Sequence, residues 1–363
     1  MLDIIRKMQL QKLLALGALI LLYLFFAWQG RAFVSISTTL AILSRSYFVG
    51  FLAIGVTFVI ITGGIDLSIG TVMICSALVG GLLFTEHNFP LWLCLIIMIF
   101  VGAAFGVLNG LLVTKLKLPP FIATLGMMMV SMGLGSILTN VRAQTFPGFF
   151  GDNAWFVRTF LRTEGNIPTG AFFLAGYLVI TFIILQKTKL GRYTYAIGSN
   201  EEAVRLSGVN VNRWKMYSYI ISGFSAGIAS IFFAATYAVV MPGTGQGFEL
   251  DAIAAAVIGG TSLAGGVGSV TGTVIGIFIM STLAVGLVSI GLRAPYQVFF
   301  TGIVVIGAVW LDIQRTKRAN RVRKGTRLSD IRKLFSIFRR TVFRISSVFS
   351  IKKIKNIFRR KNK

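Results

Sequence analysis

Apolar positions in this chain come in long unbroken runs, not in the one-sided stripes of a soluble helix or the alternation of a half-buried strand. Runs that approach the ~20 residues needed to cross a bilayer lie near 12–30, 46–62, 68–84, 90–113, 120–140, 170–186, 216–240, 251–264, 268–290 and 296–312. The pattern predicts an all-α integral membrane protein with about ten transmembrane helices. The runs at 46–62 and 251–264 are short and end in glycine-rich breaks, so broken or re-entrant helices are expected there. The first run, which follows Arg6, Lys7 and Lys12, is too long for a signal peptide and lacks a small-residue cleavage site. It is read as an uncleaved membrane helix.

Composition agrees with lipid as the solvent. Of 363 residues, 55% are hydrophobic and only 13% charged, and the mean hydropathy is +0.80, whereas soluble domains carry roughly 25% charged residues. Forty glycines suit close helix approach. Cys75 and Cys94 fall inside apolar runs and read as buried, inert thiols. His87 has no partners at ligand spacing, so no metal site is expected.

Lysine placement sets the expected orientation. With a cytoplasmic N-terminus, the inner connections hold Lys7, Lys12, Lys115, Lys117, Lys187, Lys189, Lys215 and every lysine of the tail. The outer ones hold only arginines, Arg31, Arg45, Arg142, Arg158, Arg162 and Arg293. This is the positive-inside bias, and it predicts both termini in the cytoplasm. Most of the net charge of +25 is concentrated beyond residue 312, so two regions are expected: a membrane body at 1–312 and a basic tail at 313–363.

No phosphate-loop motif is present, and no grouping of residues proposes a nucleophile, so the chain is read as a transporter and not as an enzyme. Carboxylates at membrane depth are few, chiefly Asp66 and Asp251. Ion-driven carriers usually need such groups, and their scarcity points to energy supplied by a partner. Asp66 and Ser68 follow the Gly63-Gly64 break. They read as caps of the next helix, as polar contacts of a gate, or as both. Asp251, near Glu249, reads first as a helix-start acid. Asn109, between Gly106 and Gly110, reads as an interhelical hydrogen-bonding group. Gly259 and Gly260 open a second break that resembles the first. With the two halves of the chain running in opposite directions, the pair suggests an inverted repeat.

The connection 187–215 contains Ser199, Asn200, Glu201, Glu202, Ala203, Val204, Arg205, Leu206, Ser207 and Gly208. Ser199 and Glu202 have capping-box spacing, and Gly208 suits a helix end. A helix this short is marginal alone, so it either packs on its own membrane body or docks into a cytoplasmic partner.

Four ordered stretches now carry a resemblance: Gly63 to Gly70 with its Gly-Gly-Ile-Asp-Leu-Ser core, Leu118-Pro119-Pro120-Phe121, Gly191 to Asn200, and Ile258 to Gly268. Together they resemble the ribose-type permeases of bacterial ABC importers, from about residue 45 to 312. The resemblance implies residence in the bacterial cytoplasmic membrane and pairing with a second copy or a homologue. It also implies an ATPase subunit inside and a sugar-binding protein outside. The segment from Ser199 to Gly208 would then be the coupling helix, and Asp66, Ser68, Asn109, Asp251, Gly259 and Gly260 would line the path or its gate. Nucleoside permeases are the nearest substrate alternative. An autonomous ion-coupled carrier and a non-transporting scaffold are the rival classes. No cofactor is implied.

The tail departs from the family pattern. Ile331, Leu334, Phe335, Phe338, Val342, Ile345 and Phe349 recur every three or four residues between arginines and lysines. That spacing predicts an amphipathic basic helix on the anionic inner leaflet, with nucleic acid disfavoured for want of stacking platforms.

Overall fold

The computed structural model describes residues 2–30, 32–293, 295–314 and 317, with side chains from Leu13 onward. The chain divides into two units, Met1–Asp312 and Ile313–Lys363. The helix expected between residues 331 and 349 lies outside the described residues.

The elements in order are α1 (Leu2–Gln29), α2 (Ile36–Ile61), α3 (Ile69–Thr85), α4 (Leu91–Thr114), α5 (Pro120–Leu138), β1 (Gln144–Thr145), α6 (Trp155–Phe160), α7 (Thr169–Lys187), α8 (Lys189–Ser199), α9 (Glu201–Leu206), α10 (Val211–Tyr237), β2 (Val239–Val240), α11 (Phe248–Ile258), α12 (Val270–Ser289) and α13 (Pro295–Gln314). Every expected apolar run falls on a helix. Among the described residues, α2, α4, α5, α7, α10, α12 and α13 are each long and apolar enough to cross a membrane. α3 and the Leu13–Gln29 stretch of α1 are apolar but shorter, and α11 has 11 residues.

One expectation fails: α2 is not short, because it begins ten residues before the predicted run and spans 26 residues, with the glycine break following its end. The polar residues that interrupted the apolar pattern are satisfied inside the helix. Ser44 and Ser46 donate to the carbonyls of Leu40 and Ile42, and Ser35 caps the start by accepting from the Thr38 N–H at 3.2 Å. Arg45, expected in an outer connection, therefore lies within α2.

α2 runs through the centre, with Phe48, Leu52, Ile54, Phe58 and Ile60 fully buried, and packs on α7, α10, α11 and α12. α4 and α10 approach through glycines. A Cβ on Gly102 would sit 2.5 Å from the Gly223 carbonyl oxygen and the Gly227 nitrogen, so the backbones touch where any larger residue would hold them apart. α13 presents its apolar residues outward, as does much of α5 and α7. In a protein that lipid must solvate, this is the expected rim. A two-stranded antiparallel pair, β1 with β2, ties the segment after α5 to the end of α10 through Gln144↔Val240 and Thr145↔Val239.

Candidate functional site

The two glycine-rich breaks meet. The Gly266 N–H donates to the Ile61 carbonyl at 2.8 Å, and the break after α2 packs against the loop after α11. Gly63, Gly260, Gly265 and Gly266 all have positive φ, so the tight reversals here need glycine. At their opposite ends α2 and α11 are joined as well, because Arg45 donates to Asp251 Oδ2 at 2.6 Å. The two helices therefore run the same way. The likeness of the two motifs marks parallel elements meeting at one end of the bundle and does not mark inverted ones.

Asp66, Ser68 and Asn109 come together behind the first break, all fully buried. Asp66 Oδ1 accepts from the Ser68 N–H at 3.0 Å and the Ser68 hydroxyl at 2.7 Å. The Asn109 amide donates to Ser68 Oγ at 2.7 Å, with a longer 3.5 Å contact to Asp66. Asp66 Oδ2 accepts the Ser222 hydroxyl at 2.7 Å. One carboxylate thus gathers the break, α4 and α10, and Ser222 is a partner that sequence spacing did not reveal. The capping expectation is met only in part: Ser68 stands at the N-cap of α3 without a side-chain cap bond, and Asp66 turns the loop instead.

Asp251 lies elsewhere, with Glu249 in the first turn of α11, the helix-start place expected of it, although its side chain does not cap the helix. That helix begins at Phe248, and Glu249 Oε1 accepts the Gly247 N–H at 2.9 Å. Asp251 is spent on Arg45, whose guanidinium also lies 5.9 Å from the Phe48 ring centre and 5.7 Å from that of Phe248. Buried charge in a membrane body is costly unless paired, and this pair is bracketed by aromatic faces. Gly259 ends α11 against α12, where a Cβ would lie 2.5 Å from the Gly272 carbonyl carbon and the Thr273 nitrogen. Gly260 supplies the left-handed turn that follows.

α8 and α9 sit at the end where the breaks meet. Tyr195 on α8 donates its hydroxyl to the Gly268 carbonyl at 2.7 Å. A Cβ on Gly198 would collide with the Ile61 carbonyl and the Gly266 nitrogen, and one on Gly266 would fall 2.9 Å from the Ser199 nitrogen. The end of α8 is therefore wedged into both breaks at once. α9 follows immediately. Its expected Ser199–Glu202 capping box does not form, because Ser199 is taken into the last turn of α8. Asn200, in extended conformation, caps α9 by accepting from the Ala203 N–H at 3.0 Å. Glu202 and Ala203 sit in its first turns, and Gly208 closes the segment at φ +81.

α9 buries none of its residues. It is tethered through Glu201, which accepts from Lys215 of α10 at 2.5 Å and from Arg205 at 2.9 Å. Partial burial opposes ionisation of Glu201, but Lys215 and then Arg205 outweigh it and hold the carboxyl below the usual range. Leu206, at the end of a helix that also carries Glu201, Glu202 and Arg205, is 83% exposed, a large apolar knob.

The sequence model of a family described as "Branched-chain amino acid transport system / permease component" matches residues 38–309, from the first turn of α2 into α13. The chain is 40% identical over 268 residues to the ribose import permease protein RbsC of Bacillus subtilis (strain 168), covering 74% of this chain and 82% of that one. It is 36% identical to RbsC of Escherichia coli (strain K12) over 303 residues, covering 82% and 92%. Against the xylose transport system permease protein XylH of Escherichia coli (strain K12) the identity is 31%, covering 87% and 95%. No solved structure matches the chain. A multi-pass helical body, two breaks wired to a short exposed helix, and a family match over most of the chain lead to one assignment: the chain belongs to this family of permease components, as a membrane transport subunit and not an enzyme.

Proposed function

We propose that this chain is the membrane-spanning permease of an ATP-binding-cassette importer for a monosaccharide of the ribose, xylose or fructose class. The names of its relatives support the substrate class, since they are import permeases for ribose, fructose and xylose. The observation that carries the mechanism is the wedge of α8 into both breaks, with exposed α9 directly beyond it.

In this reading a cytoplasmic ATPase holds α9, and Leu206 seats in it. Closure of the ATPase moves α9 and the end of α8. Because Gly198 and Ser199 touch Ile61 and Gly266, the motion reaches α2 and α11 together. Those helices are rods, and about 24 Å of α2 separates Ile61 from Arg45, so a tilt at one end displaces the Arg45–Asp251 pair at the other. The path then opens alternately to each side. Asp66, Ser68 and Asn109, with Ser222, hold the first break in register as it moves, and Gly259 and Gly260 let the second one bend.

The end carrying α9 is cytoplasmic, as are both chain termini, in keeping with the lysine bias. A sugar-binding protein delivers substrate at the opposite end, a second copy or homologue completes the pore, and the basic tail rests on the anionic inner leaflet.

The test is reconstitution. Vesicles holding this chain, its ATPase and its binding protein take up a monosaccharide when supplied with ATP. Uptake by the purified chain alone, driven by an ion gradient, would refute the proposal.

A further inference from the structure

The end of the bundle opposite α9 contains a cavity of about 570 Å³, lined among others by Ser37, Ser44, Arg45, Arg162, Thr236 and Tyr237. Its volume lies within the ~300–1,000 Å³ of small-molecule sites. A second cavity, of about 370 Å³ between α1, α2 and α12, is apolar almost throughout and fits lipid tails. The first differs in its chemistry. Its walls come from the first turns of α2, the ends of α10 and α12, the start of α13 and the segment before α7.

We infer that this cavity is a sugar subsite, in which Arg45, held by Asp251, forms part of one wall and reads the hydroxyls of a neutral monosaccharide. The inference rests on the importer reading above and gives it a location.

The donors and acceptors are arranged for hydroxyl groups. Ser44 and Thr236 have already given their protons to the carbonyls of Leu40 and Phe232, at 2.7 Å each. What they offer the cavity is lone pairs, which accept from a hydroxyl. Arg45 spends one nitrogen on Asp251, while its Nε is buried with no partner. That atom is closed off from the cavity, but the Arg45 side chain keeps 17% of its surface exposed and lines the cavity as a donor. Arg162 gives one nitrogen to Asn166 at 2.6 Å and lies over Phe149, 5.2 Å from its ring centre. Tyr237, 46% exposed, and Phe149 add ring surface suited to the C–H face of a sugar. A ring bearing both donors and acceptors satisfies this set. An anion does not, because it would meet the serine and threonine lone pairs, and Arg45 is already neutralised by Asp251.

The location also matters. A sugar against Arg45 touches the ion pair that joins α2 to α11, the two helices whose far ends α8 grips. Substrate and motor would then act on opposite ends of the same two rods.

The test uses Ser44→Cys in a background with Cys75 and Cys94, both buried, replaced by serine. The importer is assembled in vesicles, and the labelling rate of the introduced thiol by a membrane-impermeant maleimide is measured with D-ribose, D-xylose and D-fructose in turn. A sugar at twice its dissociation constant should slow labelling about threefold by simple occupancy, while ribose 5-phosphate should leave it unchanged. Thr236→Cys provides a second probe on another helix if Ser44→Cys fails to assemble. A complex that imports a sugar, yet labels at the same rate with and without it at both positions, overturns the subsite and leaves the importer intact. Equal protection by the phosphate overturns the neutral-sugar assignment. A complex that imports no monosaccharide removes the reading on which the subsite rests.

Discussion

Arg45 of α2 donates to Asp251 of α11 at 2.6 Å, between the rings of Phe48 and Phe248. Both partners are largely buried, so removing one leaves an unpaired charge in the bundle. Arg45→Ala or Asp251→Ala should each destabilise the purified protein by about 3–5 kcal/mol. The double variant should cost less than the sum, by on the order of 0.5–3 kcal/mol. A double-mutant cycle on thermal or denaturant unfolding in detergent checks this. Strictly additive losses would mean that the two side chains do not act as a pair.

Asp66 is a second, independent device. Its carboxylate only accepts, from Ser68, Asn109 and Ser222. Asp66→Asn puts an amide donor against at least one of these donors and should cost about 1–3 kcal/mol together with uptake, whereas Ser222→Ala should cost about 1 kcal/mol. Unfolding curves and uptake, measured side by side, separate the two. Asp66→Asn with wild-type uptake would show that the network plays no part in transport.

The wedge at Gly198 gives a steric prediction. Its Cβ has no room between Ile61 and Gly266, whereas Gly176 on α7 has nothing within 4 Å of an added Cβ. Gly198→Ala should abolish uptake and lower stability by about 1–3 kcal/mol, the usual cost of overpacking. Gly176→Ala should be silent in both. Paired uptake and melting measurements suffice.

Glu201 predicts a pH effect outside the membrane. Its carboxyl titrates below the usual range because Lys215 and Arg205 favour the ionised form. A depressed folded-state value means that the tether of α9 is fully present above the ordinary carboxylate range, near pH 4.5, and is lost as pH falls through the lower folded value. Opening of α9, read from hydrogen exchange after correction for the intrinsic pH dependence of the amide rate, should therefore be steady from neutral pH down to that range and rise below it. It should also rise with salt, because the pair is partly exposed. Glu201→Gln should remove the acid-dependent step.

Much of this was legible in the sequence. Lipid imposes long apolar runs, and each expected run falls on a helix, because a spanning segment must satisfy its own backbone. Asn109 appeared as an interhelical hydrogen-bonding group; it bonds from α4 to Ser68 and Asp66 in the break between α2 and α3. The short helix after Ser199 was evident from its acids and Gly208. What escaped was long-range or hidden by local ambiguity. Arg45 looked like the end of a span because one charge breaks an apolar pattern, and only the partner 206 residues away makes it tolerable inside. Ser199 and Asn200 are both good caps, and which one serves depends on where α8 stops. The two glycine breaks looked like halves of a repeat, since sequence likeness carries no direction in space. Gly198 gave no signal at all, because its role is the absence of a side chain at a contact between three segments.

In the proposed mechanism force enters through α9, and Leu206 is the place to test it. It is 83% exposed, on a helix that buries none of its residues. Leu206→Pro and Leu206→Asp should leave membrane insertion and melting temperature unchanged while sugar uptake by the full complex falls to background. ATPase co-purification should be weakened in step. Wild-type uptake and ATPase binding in both variants would contradict the account.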